Sequence, residues 1–279
     1  MYERTFKIPR IAFLCTFYIH TTFRTFSEVK QASIIMFYEP GKTDHGLSHD
    51  PFKACVVPRP IGWISTVSPS GVHNLAPYSQ FNNLTFDPPY VMFSANQTPS
   101  AQRKDTVANV EATGRFTWNL ATWDLREAVN ITAEQVPADI DEFERAGLEK
   151  EFTTVLKEPR VPMVKASPVK FECEYHSTLR LPGNPPMGTV DVVIARVVAV
   201  HIADEVLTDG ILDVKKTLPI ARCGYYQYTV VRETFDMVIP SNGQLGEDIL
   251  GGLEGSTKKH RAIKVRPETE QEDGEAPGA

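Results

Sequence analysis

The chain is short of the signatures that most cofactor- and metal-dependent enzymes carry. No GxGxxG follows a strand-like run and no GxxxxGK[ST] occurs, which argues against a Rossmann domain or a P-loop. There is no HExxH pair and no GxSxG elbow, so zinc-peptidase and serine-hydrolase chemistry have no scaffold to stand on. The four cysteines, Cys15, Cys55, Cys173 and Cys223, are far apart and form no CxxC; zinc binding and dithiol exchange are not expected, and reduced thiols in a reducing compartment are. The seven histidines are scattered without ligand spacing, so no metal site is expected. No run of about 20 apolar residues exists, so no membrane span is expected. The net charge of −6 gives no footprint for nucleic acid. What is present, 42% hydrophobic and 23% charged residues over 279 positions, suffices to build a core without staples.

Composition divides the chain in three. Residues 1–35 are basic and rich in scattered aromatics such as Phe6, Phe13, Tyr18 and Phe26, without a nearby A-x-A cleavage site. They read as a disordered extension, as the product of a start placed upstream of a working Met36, or as a mitochondrial presequence; the first two are favoured, with a cytoplasmic location as the default. Residues 36–250 hold the expected folded domain. Residues 251–279, basic and then acidic from Ser256 on and nearly free of large apolar side chains, are expected to be a disordered charged tail.

Between the ends the pattern is mainly β with inserted helices. Ala54–Val57 and Ile61–Val67 are short apolar and β-branched runs, and Ser68-Pro69-Ser70-Gly71 is a turn by composition. His73–Phe86 reads as one long extended stretch, ended by Asp87-Pro88-Pro89, and Tyr90–Phe93 as a buried strand. A helix is predicted over Asp105–Thr113, with Asp105 as N-cap and Gly114 as the stop. Arg115–Leu120 returns as a strand, Leu125–Glu134 and Glu142–Leu148 as short helices, and Val169–Leu181 and Thr189–Ala203 as long strands. Such an order suggests a small barrel with helical excursions.

Three segments carry a more specific pattern: Pro58-Arg59-Pro60-Ile61-Gly62-Trp63-Ile64-Ser65-Thr66-Val67, then Asn74-Leu75-Ala76-Pro77-Tyr78-Ser79-Gln80-Phe81-Asn82 with Asp87-Pro88-Pro89-Tyr90-Val91-Met92-Phe93-Ser94, then Lys104-Asp105-Thr106-Val107-Ala108-Asn109. In this order and spacing the chain resembles the flavin-reductase-like, FMN-binding split β-barrel family, which includes the flavoredoxins. Asp44–Leu47, Asp141-Glu142-Phe143, Ala146-Gly147-Leu148 and Val198–His201 agree with the longer members. The resemblance covers about Met36 to Val231. It implies a split barrel, bound FMN, NADH or NADPH as electron donor, a homodimer and an electron acceptor, which could be a protein.

The residues themselves suit a flavin. If His73–Phe86 is one strand, then Asn74, Ala76, Tyr78 and Asn82 share one face and Pro77 and Ser79 the other, neither cleanly apolar. Small, aromatic and amide side chains fit a strand lining a planar heterocycle, or a strand at a subunit interface. Ser65 and Thr66 offer hydroxyls for a phosphate or ribityl chain. Lys104 and Thr106 flank a helix N-terminus, where anions bind readily, although a solvated lysine is the plain alternative. Trp63 could stack on the ring or belong to the core, and Ser94 completes the candidate set. His176 and His201 read first as structural histidines. Arg222, Tyr225 and Tyr226 could close a site from a second subunit. The loop Leu181–Gly188 reads as a hairpin connection before it reads as a gate. If the flavin carries the chemistry, no side-chain acid, base or nucleophile is required, and none is assigned. Two other readings stand beside the reductase or electron carrier: an FMN-dependent oxidase of a small substrate, and a flavin-binding module without turnover.

Overall fold

The computed structural model describes residues 35–98 and 100–237. The predicted boundaries at 1–35 and 251–279 therefore fall almost wholly outside the described residues. The chain divides after Val56. The described part before that point holds a turn closed by Thr43, which accepts from Glu39 N at 2.8 Å. It also holds helix α1 (Phe52–Cys55), where Asp50 Oδ1 accepts from Phe52 N at 2.9 Å. The Ala54–Val57 run thus begins in a helical turn and not in a strand.

From Val57 on, a seven-stranded antiparallel sheet dominates. Its strands are β2 (Gly62–Val67), β3 (His73–Tyr78), β4 (Phe81–Phe86), β5 (Pro89–Asn96), β6 (Arg115–Asn119), β9 (Val169–Leu181) and β10 (Val190–Ile202), in the order β3-β2-β6-β9-β10-β5-β4. A short β1 (Arg59–Pro60) pairs with β13 (Ile220–Arg222), and β13 with β14 (Tyr228–Val230); β7 (Lys150–Phe152) pairs with β8 (Pro162–Val164), and β11 (Leu207–Thr208) with β12 (Ile211–Leu212). Four helices lie between strands: α2 (Asp105–Thr113), α3 (Arg126–Ile131), α4 (Glu142–Arg145) and α5 (Val214–Thr217).

The sheet curls on itself as an incompletely closed barrel. Phe81, on the far edge strand, stacks parallel on Trp118 of β6 at 5.4 Å between centroids. Its ring comes so near β2 that a Cβ at Gly62 would lie 2.8 Å from Phe81 Cδ2. Glycine at that point is a packing requirement. Inside the barrel Ile64, Val91, Phe93, Phe116, Cys173 and Val193 form one core, which α2 covers with Val107 and Val110. A second core lies on the outer face of β2 and β3, where Trp63 and Leu75 meet Val129, Phe143, Val164 and Ile220. Strand β2 is therefore buried along its whole length, which explains its nearly unbroken apolar run.

Several expectations are corrected. His73–Phe86 is two strands with a bend at Ser79-Gln80, so the alternation does not run through it and Asn82 sits exposed on β4. The helix over Asp105–Thr113 is as predicted and ends at Gly114 with φ of +72°, but Lys104 occupies the N-cap position, Asp105 lies inside the first turn, and no side chain caps the end. Arg126–Ile131 and Glu142–Arg145 are shorter than the stretches read as helices. Among the described residues no helix is long and apolar enough to cross a membrane.

Candidate functional site

A cavity of about 310 Å³ opens between β3, the residues leading into α2, and the segment from Thr132 to Ala138. Strand β3 supplies Asn74, Ala76, Pro77 and Tyr78; the α2 entry supplies Thr98, Gln102, Arg103, Lys104, Asp105 and Thr106. Strand β3 sits at the sheet edge, with no further strand beyond it among the described residues. Ala76 and Pro77 keep that wall shallow, which lets a flat group approach the backbone.

The α2 end is built for an anion. Its first-turn N–H groups have no side-chain cap, and the helix dipole adds to them. Lys104, at the cap position, has no ion-pair partner among the described residues, whereas the adjacent Arg103 is bound to Glu111 at 2.5 Å, which Arg180 also holds at 2.5 Å. Across the cavity Glu134 is neutralised by Arg145. A charge-bearing ligand would thus meet Lys104 as the uncommitted cation.

The inner wall is a buried polar network. Asn74 donates from Nδ2 to Glu142 Oε1 at 2.9 Å, and Leu75 N donates to Glu142 Oε2 at 2.9 Å, which satisfies an outward N–H of the edge strand. Asn74 Oδ1 accepts from Thr106 Oγ1 at 2.7 Å and from Thr66 Oγ1 at 3.3 Å, and Asn109 Nδ2 donates to Thr66 at 3.0 Å. Burial pushes the Glu142 carboxyl above its usual range against these hydrogen bonds, and Asp141 adds to the rise. Burial likewise raises the Tyr78 phenol. Behind the wall, Asp141 caps α4 through Phe143 N at 2.9 Å and pairs with Lys150 and, at 3.4 Å, with His73. Burial, helped by Lys150, lowers the His73 pKa.

Of the twelve candidate residues, the structure brings Asn74, Ala76, Pro77, Tyr78, Lys104 and Thr106 to this cavity. Thr66 stands behind it, holding Asn74. The other five lie elsewhere. Trp63 is fully buried in the outer core, its Nε1 donating to Thr132 Oγ1 at 2.9 Å. Ser65 is fully buried beside it, its Oγ without a hydrogen-bond partner. Ser79 lies in the bend, Asn82 on β4 and Ser94 on β5, where it pairs with Val192. His201 donates from Nε2 to Glu172 Oε1, 2.9 Å away, and His176 packs edge-on against Tyr90. Tyr226 and Tyr228 line a different cavity of about 460 Å³ with Trp123 and Ile220. The Leu181–Gly188 loop joins the paired strands β9 and β10.

Sequence reasoning missed Arg103, Glu142 and the Thr132–Ala138 wall. Arg103 adjoins the Lys104 motif and could have been included. Glu142, in the first turn of a short helix, has the sequence context of a solvated residue, and only the fold reveals that it faces an edge strand.

Residues 54–222 match the family described as "Flavin reductase like domain". An uncharacterized protein of Aquifex aeolicus is 35% identical over 174 residues, 62% of this chain and 84% of that one. The crystal structure of nitrilotriacetate monooxygenase component B from Bacillus cereus superposes with a TM-score of 0.67 at 27% identity, over 74% of this chain and all of that one. The flavoredoxin of Desulfovibrio vulgaris (Miyazaki F) shares the fold alone, with a TM-score of 0.53 at 16% identity, over 76% of this chain and all of that one.

Proposed function

The chain belongs to the flavin reductase like family, and from that premise we propose that it binds FMN in the β3–α2 cavity and serves as an NAD(P)H-dependent flavin reductase or a flavoredoxin-like electron carrier. The observation that carries this reading is the pairing of a shallow, mixed wall at Ala76–Tyr78 with an uncapped nine-residue helix and the uncommitted Lys104. That donor set fits a flat heterocycle joined to a phosphate.

The flavin, when bound, would supply the hydride-accepting chemistry. The protein's part is placement. Lys104 and the first-turn N–H groups of α2 hold the anionic end. Ala76 and Pro77 let the ring close on the backbone. Tyr78, packed on Phe93 at 5.1 Å, anchors the wall to the barrel core and keeps water from it. A second copy of the chain is proposed as the partner. Exposed apolar side chains on the barrel wall, Leu84 and Phe86 on β4, Leu179 and Leu181 on β9 and Val200 and Ile202 on β10, are the surface such a partner would cover. Light scattering that gives a monomer at micromolar concentration would refute that part.

The test of function is an anaerobic absorption spectrum with FMN, before and after NADH and NADPH. Bound flavin that bleaches with either donor is the expected result. Bound flavin that stays oxidised would favour an oxidase of a small substrate or a module without turnover. No flavin binding would remove the proposal.

A further inference from the structure

The hydrogen bonds on the cavity's inner wall have only one consistent direction. Leu75 N donates to Glu142 Oε2 and Asn74 turns its N–H₂ edge to Oε1, each at 2.9 Å, so the carboxyl accepts from both. Asn74 Oδ1 is thereby turned toward α2. An amide oxygen also only accepts, so the hydroxyls of Thr106, at 2.7 Å, and Thr66, at 3.3 Å, both donate to it. Thr66 then accepts from Asn109. The single proton of Thr106 is committed to Asn74. The Thr106 proton runs inward to Asn74, and the Asn74 amide protons inward to Glu142. Toward a ligand, the Thr106 hydroxyl has a lone pair to offer and no proton.

We infer that Glu142 is a specificity-determining positioning residue: by fixing the Asn74 amide it makes the wall at Thr106 an acceptor for ligand hydroxyl groups, a seat for a flavin's polyol chain and not a further donor to its phosphate. Residue type alone suggests the opposite role for a threonine in the first turn of an anion-binding helix. Placement agrees with the inference. Thr106 lies two positions beyond Lys104, and the group next to a flavin's phosphate is its polyol. The inference rests on the proposal that flavin occupies this cavity.

The test compares FMN, riboflavin, which lacks the phosphate, and lumiflavin, which lacks phosphate and polyol, by quenching of flavin fluorescence. Thr106→Val keeps the shape of a side chain that is 1% exposed. It should weaken FMN and riboflavin alike, by about tenfold, and change lumiflavin by less than about twofold. Glu142→Gln keeps an oxygen for Leu75 N but sets an N–H₂ opposite the Asn74 N–H₂, which turns the Asn74 amide over and frees the Thr106 proton for the cavity; the preference for FMN over riboflavin should rise by about fivefold. Loss of FMN with riboflavin spared in Thr106→Val would put the hydroxyl on the phosphate and overturn the inference. Equal loss of all three flavins would reduce Thr106 to a structural role and overturn it too, as would an unchanged FMN-to-riboflavin ratio in a folded Glu142→Gln. Should Glu142→Gln not fold, the Thr106→Val comparison decides alone. If the unaltered chain binds none of the three, the flavin reading itself fails, an outcome distinct from these.

Discussion

Glu172 and Glu142 are both buried carboxylates, and the fold drives them in opposite directions. Glu172, on β9, is fully buried, which by itself would raise its pKa. Leu156 N at 2.8 Å, Thr154 N at 2.7 Å, Val155 N at 3.0 Å, Thr154 Oγ1 at 2.9 Å and His201 at 2.9 Å saturate it and hold it at about 2. Glu142, on α4, has Asn74 and Leu75 N as its donors from β3, and burial wins. The difference lies in how many lone pairs the surroundings fill. The saturated carboxylate anchors the loop between β7 and β8 to the barrel. The under-filled one lines the cavity, where a proton or a ligand can still alter it.

The largest effect should come from removing the saturated anchor. Glu172→Ala strands a cluster of backbone N–H groups, and a loss of about 3–5 kcal/mol in urea-induced unfolding is expected. Glu142→Ala leaves fewer donors unfilled and should cost about 1–2 kcal/mol. Equal losses would end the comparison. Next in size, Lys104→Glu should weaken FMN about 30-fold while riboflavin changes less than about threefold, because only FMN carries the charge that Lys104 faces. Equal loss of both, measured by titration at low salt, would take the phosphate away from Lys104.

Titration separates the two glutamates more gently. The folded pKa of Glu172, about 2, lies below the usual 4.5, so its contribution is present above pH 4.5 and is lost as pH falls toward 2. The folded pKa of Glu142 lies above 4.5, so it carries no such penalty below that pH, and stability falls as pH rises from 4.5 through the folded value. Each slope is at most about 1.4 kcal/mol per pH unit. Unfolding free energy measured from pH 2.5 upward should show Glu172→Gln flattening the limb below 4.5 and Glu142→Gln the limb just above it. Flattening in the same window by both variants would contradict the opposite shifts.

The same contrast explains what the sequence revealed. The long strands β9 and β10 and helix α2 were legible because each has a local pattern with its own stop, such as Gly114. The motif order pointed to the barrel and to half of the candidate site. The bend at Ser79-Gln80 was not legible, because a polar pair between two extended runs has no strong breaker in it. On β2, Trp63 and Ser65 stood as candidates by side-chain type, a ring that could stack and a hydroxyl that could meet a phosphate or ribityl chain. Only the outer core of Phe143, Val164 and Ile220 shows that both of its faces are covered. Neither glutamate could be judged at all, since what fills a carboxylate's lone pairs comes from residues far away in the chain: Thr154–Leu156 and His201 for one, Asn74 and Leu75 for the other.

The smallest prediction tests whether backbone or side chain does the anchoring at Glu172. His201 contributes one contact, at 2.9 Å, from the neighbouring strand β10, and its ring is partly exposed. The N–H groups of Thr154, Val155 and Leu156 converge on the carboxylate from a single loop. If the loop does most of the work, His201→Asn removes one bond from a saturated group, and water at the exposed edge can replace it. A loss of about 1 kcal/mol is then expected, with flavin affinity unchanged. A loss that approaches that of Glu172→Ala would show that the histidine, and not the loop, sets the state of the carboxylate. The contrast with Glu142 would then turn on one side-chain partner instead of on a ring of backbone donors.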